Sequence, residues 1–297
     1  MRYLKWVGMA VGGVVAIVVL LIVVLSSIGG MKTNRTIDVS AAVVAVPTDQ
    51  AGLERGRHFI ESIALCQRCH GESFEGQVLE DDPLFGRLAP ANLTRGNGGV
   101  GGELSDIDYV RAVRHGVGRD GKAIPFMPSE LYNKIGDEDL GAMIAYLKSV
   151  PPVDNEVPKT RLGIIARIIT VFDQSLLPAN LIDYETPRSP APEPGATLEY
   201  GKYLAMMCAL CHGPDLGGAL ILDGSGVRAP NITQGGALGA WSEEDFINTL
   251  RTGVTPAGNS LKKENMPWDR FTKMTDDELE AVWLYVRSVT PVTAGAN

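Results

Sequence analysis

A pattern with a period of about 140 residues runs through this 297-residue chain twice, and each run carries the same pentapeptide, C-x-x-C-H. The first copy is Cys66-Gln67-Arg68-Cys69-His70 and the second is Cys208-Ala209-Leu210-Cys211-His212. Together they use all four cysteines. A duplicated unit of ordinary domain size folds as two domains, so the repeat sets the architecture before any element is assigned. The matches reach well beyond the pentapeptides. Glu54-Arg55-Gly56-Arg57-His58-Phe59 corresponds to Glu199-Tyr200-Gly201-Lys202-Tyr203-Leu204, and Ala89-Pro90-Ala91-Asn92-Leu93-Thr94 to Ala229-Pro230-Asn231-Ile232-Thr233. Further on, Leu104-Ser105-Asp106 corresponds to Trp241-Ser242-Glu243, Met127-Pro128 to Met266-Pro267, and the run from Asp137 to Pro151 to that from Asp276 to Thr290.

A C-x-x-C-H run is an attachment signature for covalent haem. The two thiols add across the vinyl groups, and the adjacent His falls beneath the iron as an axial ligand. Cys66, Cys69 and His70 therefore form one candidate site, and Cys208, Cys211 and His212 a second. Other uses of these residues fit less well. Two cysteine pairs could hold a zinc ion, but here each pair sits in its own copy of the repeat. A redox dithiol needs a βαβ context, which the pattern lacks. A disulfide within each pair leaves the adjacent His unexplained.

The N-terminus adds a separate element. No charged residue occurs from Trp6 to Met31, and about 20 apolar residues span a bilayer. Residues 1–31 thus read as a transmembrane anchor and 32–50 as a linker. Arg2 and Lys5 precede the apolar run and Lys32 and Arg35 follow it, so the positive-inside bias is slight. A signal peptide would have a shorter apolar region, roughly 7–15 residues, which favours an uncleaved anchor with the remainder exported. The net charge of −8 argues against nucleic acid as a partner.

Each copy reads as mostly helical, with the first domain over 51–153 and the second over 197–293. Helices are expected at 52–65 and 197–208, leading into the motifs. Ser105 and Ser242 cap helices at 106–115 and 243–252, which Gly116 and Gly253 stop. The last helices, 137–149 and 276–288, open on acidic residues and end on Lys148 or Arg287, as the macrodipole favours. Gly56 and Gly201 sit mid-helix, where glycine costs about 1 kcal/mol against alanine. A close crossing between the first and last helix of each copy explains them. Between the domains, residues 154–196 form a linker ending in the proline-rich run 187–194. Inside it Leu162, Ile165, Ile168, Ile169 and Phe172 recur at helical spacing, which suits a helix packed on a domain or an interfacial one.

Iron held by a motif His needs a sixth ligand or an open position. His58 and His115 align with Tyr203 and Thr252, so neither is reproduced in the other copy; His58 reads as a solvated helix residue and His115 as a helix end. Met127 and Met266 are reproduced, 57 and 54 residues past the motif His, each before a proline. They are the candidate sixth ligands. Met274 aligns with Ile135, and Met143, Met206 and Met207 read as core. His/Met coordination raises the reduction potential and closes the iron to oxygen or peroxide. The three N-x-[ST] runs at Asn34, Asn92 and Asn231 are discounted as glycosylation sites. The latter two read better as shaping a haem-pocket loop.

These residues resemble the class I cytochrome c superfamily in duplicated, dihaem form. More narrowly the chain resembles cytochrome c subunits of bacterial membrane dehydrogenases for alcohols and sugar acids. The resemblance rests on Ala229 to Thr233, Arg251 to Val254, Met266-Pro267 and Ala145 to Val153, and covers residues 50–153 and 195–293. It departs in haem number, since such subunits usually carry three. The resemblance implies a mainly α fold: two tandem cytochrome c-like haem domains behind an N-terminal transmembrane helix. The two motifs give two covalent haem c groups, and the apolar N-terminal segment gives an expected single-pass location in the bacterial cytoplasmic membrane, with the haem domains on the periplasmic side. The expected function is a non-enzymatic relay of single electrons between a respiratory, photosynthetic or dehydrogenase complex and a terminal acceptor. Quinol-oxidising or dehydrogenase complexes, a terminal oxidase or a soluble cytochrome are the expected partners. The alternatives are a dihaem enzyme of peroxidase or thiosulfate dehydrogenase type, or a fixed wiring subunit of a larger complex. The peroxidase needs an exchangeable ligand and the thiosulfate enzyme often a spare cysteine, and this chain offers neither.

Overall fold

The computed structural model describes residues 2–184, 189–221 and 226–293, so the start of the proline-rich run at Pro187 lies outside the described residues. The fold is mainly α, with 49% helix against 6% strand. In chain order the elements are α1 (Arg2–Asn34), α2 (Gln50–Phe59), α3 (Cys66–His70), β1 (Glu80–Asp82), β2 (Gly86–Leu88), α4 (Asp106–His115), α5 (Ser129–Tyr132), α6 (Asp137–Ser149), β3 (Arg161–Leu162), α7 (Ile164–Phe172), α8 (Leu198–Leu204), α9 (Ala209–His212), α10 (Glu243–Thr252), α11 (Trp268–Phe271) and α12 (Asp276–Ser288).

Local signals set many of these boundaries. Ser105 and Ser242 accept the N–H of Asp108 and Asp245, whose carboxylates accept the cap N–H in return, so α4 and α10 both open on capping boxes. Both stop at a left-handed glycine, Gly116 at φ 63° and Gly253 at φ 70°. The expected continuous helix over 52–65 is instead broken. A π turn spans Ile60–Ala64, and Leu65 turns left-handed at φ 56° before α3 starts. In the second copy a 3₁₀ turn, Ala205–Cys208, does the corresponding work. Both devices re-aim the chain so that the motif begins a new turn of helix.

The chain divides into two compact units. The first comprises Met1–Ala42, Phe74–Glu130 and Pro152–Glu185. In it β1, β2 and β3 form a small antiparallel sheet, with Glu80 opposite Leu88 and Gly86 opposite Leu162. Val117, Ala123, Leu162, Ala166, Leu176, Leu177 and Ala179 make its apolar cluster, with Phe85, Phe126 and Ile169 packed on the side. Helix α1 is exposed from Tyr3 to Val24 and becomes partly covered from Leu25 onward. At 1.5 Å per residue the exposed part is about 33 Å long, enough to cross a hydrocarbon core of about 30 Å.

The second unit comprises Val43–Ser73, Leu131–Pro151 and Thr186–Asn297. Its framework is one helix crossing made twice. A Cβ at Gly56 of α2 would lie 1.9 Å from the Ala142 carbonyl oxygen of α6, and one at Gly201 of α8 would lie 1.7 Å from that of Ala281 in α12. Only glycine lets either helix pair approach so closely.

The two crossings are joined by reciprocal contacts. The Nε2 of His58 in α2 lies 2.8 and 2.9 Å from the two carboxylate oxygens of Glu278 in α12. Tyr203 of α8 donates its hydroxyl to Asp139 of α6 at 2.5 Å. His58 and Tyr203 are matched positions of the repeat, and so are Asp139 and Glu278, so the contact has the residue pattern of a pseudo-twofold. The Phe59 and Tyr203 rings meet at 5.9 Å. Lys273–Glu61 at 2.7 Å and the Arg270–Glu72 ion pair add charge contacts. His58, expected on a solvated face, is thus an interface residue. Its matched position is an aromatic hydroxyl, and both donors reach an acidic residue on the opposite copy.

Burial alone would raise the Glu278 carboxyl, but His58 and the Thr275 N–H outweigh it and hold it below its ordinary 4.5. Glu61 is held low in the same way by Lys273 and Tyr146, against burial. A lowered folded value means stability that is complete above the unfolded value and is lost as pH falls through the folded one. The thermal midpoint of the full chain should therefore fall as pH drops below about 4.5. Glu278→Gln should flatten that slope in a melting series, and an unchanged slope would remove this pair from the account.

Candidate functional site

Both motifs are helical, α3 and α9, and both leave the His by the same unusual backbone. Gly71 has φ 83° and ψ 162°, and Gly213 has φ 81° and ψ 163°. That region is open essentially to glycine alone. Positive φ then recurs in step, at Phe74 and Leu216 and at Gly76 and Gly218. The loop after each motif is thus built twice to one plan.

His212 is 5% exposed, and its Nδ1 lies 2.8 Å from the Pro230 carbonyl oxygen. A carbonyl only accepts, so Nδ1 carries the proton and Nε2 keeps the lone pair that a metal would take. Burial pulls the imidazole pKa below its ordinary value, with Pro230 opposing, which favours the neutral form a metal needs. Immediately beyond, Gly213, Pro214, Asp215, Gly218 and Ala219 line an open cleft of about 430 Å³. The donor set and the pinned ring fit a haem iron.

The cysteines do not look like thiolate chemistry. Burial pushes the Cys66 and Cys208 thiols up to about 12, whereas zinc ligands and redox dithiols need the thiolate. Among the described residues no disulfide joins any of the four. The Cys69 thiol is also raised, by burial first, with Arg68 opposing and a charge on Cys211 adding to the rise. Cys69 and Cys211 therefore lie within electrostatic reach of one another in the second unit.

The two Met-Pro pairs share one turn. Met266 O accepts the Trp268 N–H at 2.7 Å across Pro267, whose φ of −77° and ψ of 56° make an inverse γ-turn. Met127 O accepts the Ser129 N–H at 2.7 Å across Pro128. Both methionines are half-buried, whereas Met143, Met206, Met207 and Met274 are buried in the core. A thioether left half open on a fixed turn is suited to a further contact. Cys66, Cys69, His70, Cys208, Cys211, His212 and Met266 all fall in the second unit, and Met127 falls in the first. There Met127 follows Phe126, whose N–H donates to Leu176 O at 3.2 Å and whose ring meets Phe85 at 6.2 Å.

The Asn-x-Thr loops are structural. Asn92 donates to Val153 O at 2.8 Å, and Thr94 Oγ1 accepts the Val153 N–H at 3.0 Å. Asn231 donates to Val292 O at 2.6 Å, and Thr233 Oγ1 accepts the Val292 N–H at 3.0 Å. Asn92, Thr94 and Thr233 are buried, which disfavours glycosylation there. These bonds tie the Pro90 and Pro230 loops to the chain that follows the last helix of each copy. Pro230 itself, as the acceptor that orients His212, carried no signal beyond its place in the repeat.

Residues 198–290 match the cytochrome c family. This part of the chain is a cytochrome c domain. The chain is similar to the fructose dehydrogenase cytochrome subunit of Gluconobacter japonicus, at 28% identity over 80% of this chain and 52% of that one. It is similar also to the quinone-dependent alcohol dehydrogenase cytochrome c subunit of Gluconacetobacter polyoxogenes, at 25% identity over 84% and 59%. A third relative is the gluconate 2-dehydrogenase cytochrome c subunit of Pantoea cypripedii, at 26% identity over 82% of this chain and 62% of that one. The chain thus spans a little over half the length of each of these relatives. Covalent haem c is the cofactor that goes with the cytochrome c family, and the three relatives are named as cytochrome subunits of dehydrogenases.

Proposed function

We propose that this chain is a membrane-tethered dihaem cytochrome c that carries electrons within a membrane dehydrogenase complex. Its first repeat copy, 51–153, serves as a second cytochrome c domain beside 197–293. Cys66 and Cys69 would hold one haem c and Cys208 and Cys211 the other, with His70 and Met127 as the residues that would ligate the first iron and His212 and Met266 the second. The matched Met-Pro turns carry this reading, because a thioether offered at each sixth position leaves no open site for a substrate. Bound there, each iron would supply one-electron chemistry between its ferric and ferrous forms. The protein's part is to fix the ligands. Pro230 holds the His212 ring, the γ-turns hold the methionines, and the His58–Glu278 and Tyr203–Asp139 contacts keep the motifs side by side for transfer from one to the other. Helix α1 would serve as the anchor, with the remaining residues on the periplasmic face.

The relatives' names point to a dehydrogenase as the electron source. A tagged full chain, gently extracted from its native membrane, should copurify with a dehydrogenase whose substrate reduces the haem absorbance. Recovery alone, with rapid turnover of peroxide at a high-spin haem, would overturn the proposal in favour of an enzyme.

A further inference from the structure

Helix α7 presents two faces of opposite use. Ala166 and Thr170 are buried, and Ala166 joins the apolar cluster of the first unit. On the other side Ile164, Ile165 and Phe172 are 46%, 44% and 76% exposed. Leu84, at the tip between β1 and β2, is 55% exposed and extends this patch, since its carbonyl accepts the Ile165 N–H at 3.0 Å. Isolated exposed apolar residues are ordinary, but a contiguous set on one helix face is a contact surface. Helix α7 contains no acidic residue and one cation, Arg167; Asp173 follows its end.

What covers the patch follows from where α7 is held. A Cβ at Gly29 of α1 would lie 1.8 Å from Arg167 O, so the two helices cross in contact. Lys32 of α1 donates to Thr170 O at 3.2 Å and Val171 O at 3.0 Å, capping the end of α7. The exposed apolar run of α1 stops at Val24, five residues before that crossing. Residues this close to the end of a membrane span lie at the headgroup level.

We propose that the outer face of α7, with Leu84, lies in the interfacial layer of the bilayer and forms a second membrane contact that fixes the orientation of the first unit. This rests on α1 being the anchor. The occupant is lipid, because α7 is held against α1 at Gly29, five residues past the end of that helix's exposed apolar run. Exposed Arg35, three residues past Lys32, suits headgroup phosphates, while Arg161 lies 3.6 Å from Asp81.

The test is carbene labelling of the full chain in phosphatidylcholine vesicles containing a diazirine lipid, mapped by peptide mass spectrometry. Labels are expected both in residues 3–24 and in 164–172. The double variant Ile165→Glu, Phe172→Glu should cut labelling of 164–172 by about fivefold or more while leaving 3–24 unchanged. Labelled α1 with unlabelled α7 would overturn the second contact and leave the anchor standing, with a second copy or a partner protein as the cover. Absence of label from both would overturn the anchor, and this inference with it.

Discussion

Replacing Met266 by His should lower the midpoint potential of one haem and leave the other where it was. The thioether is a soft ligand that favours ferrous iron, and imidazole favours the ferric form, so the exchange stabilises the oxidised state. Axial ligands and their surroundings span roughly 0.8 V, and a Met-to-His exchange should cover on the order of 0.1–0.2 V of it. A spectroelectrochemical titration of the full chain reads this as a wave that splits. The sulfur-to-iron charge-transfer band of the oxidised protein should lose about half its intensity. Met127→His should do the same to the other wave. The inverse γ-turn at Pro267 makes the result interpretable, because the backbone bond from Trp268 to Met266 O survives the substitution. Met274→Leu is the control. Met274 is 6% exposed in the core, and its replacement should leave both potentials in place.

Gly201→Ala should be strongly destabilising. The added Cβ would sit 1.7 Å from Ala281 O and 2.3 Å from its carbonyl carbon. Helix propensity gains about 1 kcal/mol. Overpacking costs about 1–3 kcal/mol or more, and here the obstacle is backbone inside α12, which cannot rotate aside as a side chain could. With the cost therefore at or above the top of that range, the net loss should be about 2 kcal/mol or more, a fall in Tm of roughly 8 °C or more for a domain of about 100 residues. Gly56→Ala, with its contact at 1.9 Å to Ala142 O, should behave alike. Gly102→Ala, whose nearest neighbour is 3.9 Å away, should melt within error of the parent. Equal melting of all three variants would remove the crossings from the framework.

The sequence carried those elements whose signals are local. Helices α4, α6, α10 and α12 begin and end where caps, acidic first turns and stop glycines put them. Gly56 and Gly201 were legible as crossings because the repeat marked both. What stayed hidden depends on residues far apart in the chain. The pairing of His58 with Glu278 spans 220 positions, and nothing local distinguishes His58 from a solvated residue. The π turn at Ile60–Ala64 contains neither glycine nor proline; it follows from the demand that α3 start on a new axis. β1, β2 and β3 are too short for an alternating pattern to register. Arg114 and Arg251 occupy matched positions, yet Arg114 is wholly buried while Arg251 donates to Thr272 O and Asp276. A repeat transfers backbone geometry more faithfully than it transfers side-chain surroundings.

The claim on which the rest depends is that both motifs bear haem. Intact mass measurement of the mature full chain, alongside the paired variants Cys66→Ala, Cys69→Ala and Cys208→Ala, Cys211→Ala, tests it directly. Polypeptide plus two haem masses is expected for the parent and plus one for either variant. A parent carrying a single haem, lost entirely in one variant and retained in the other, would contradict it.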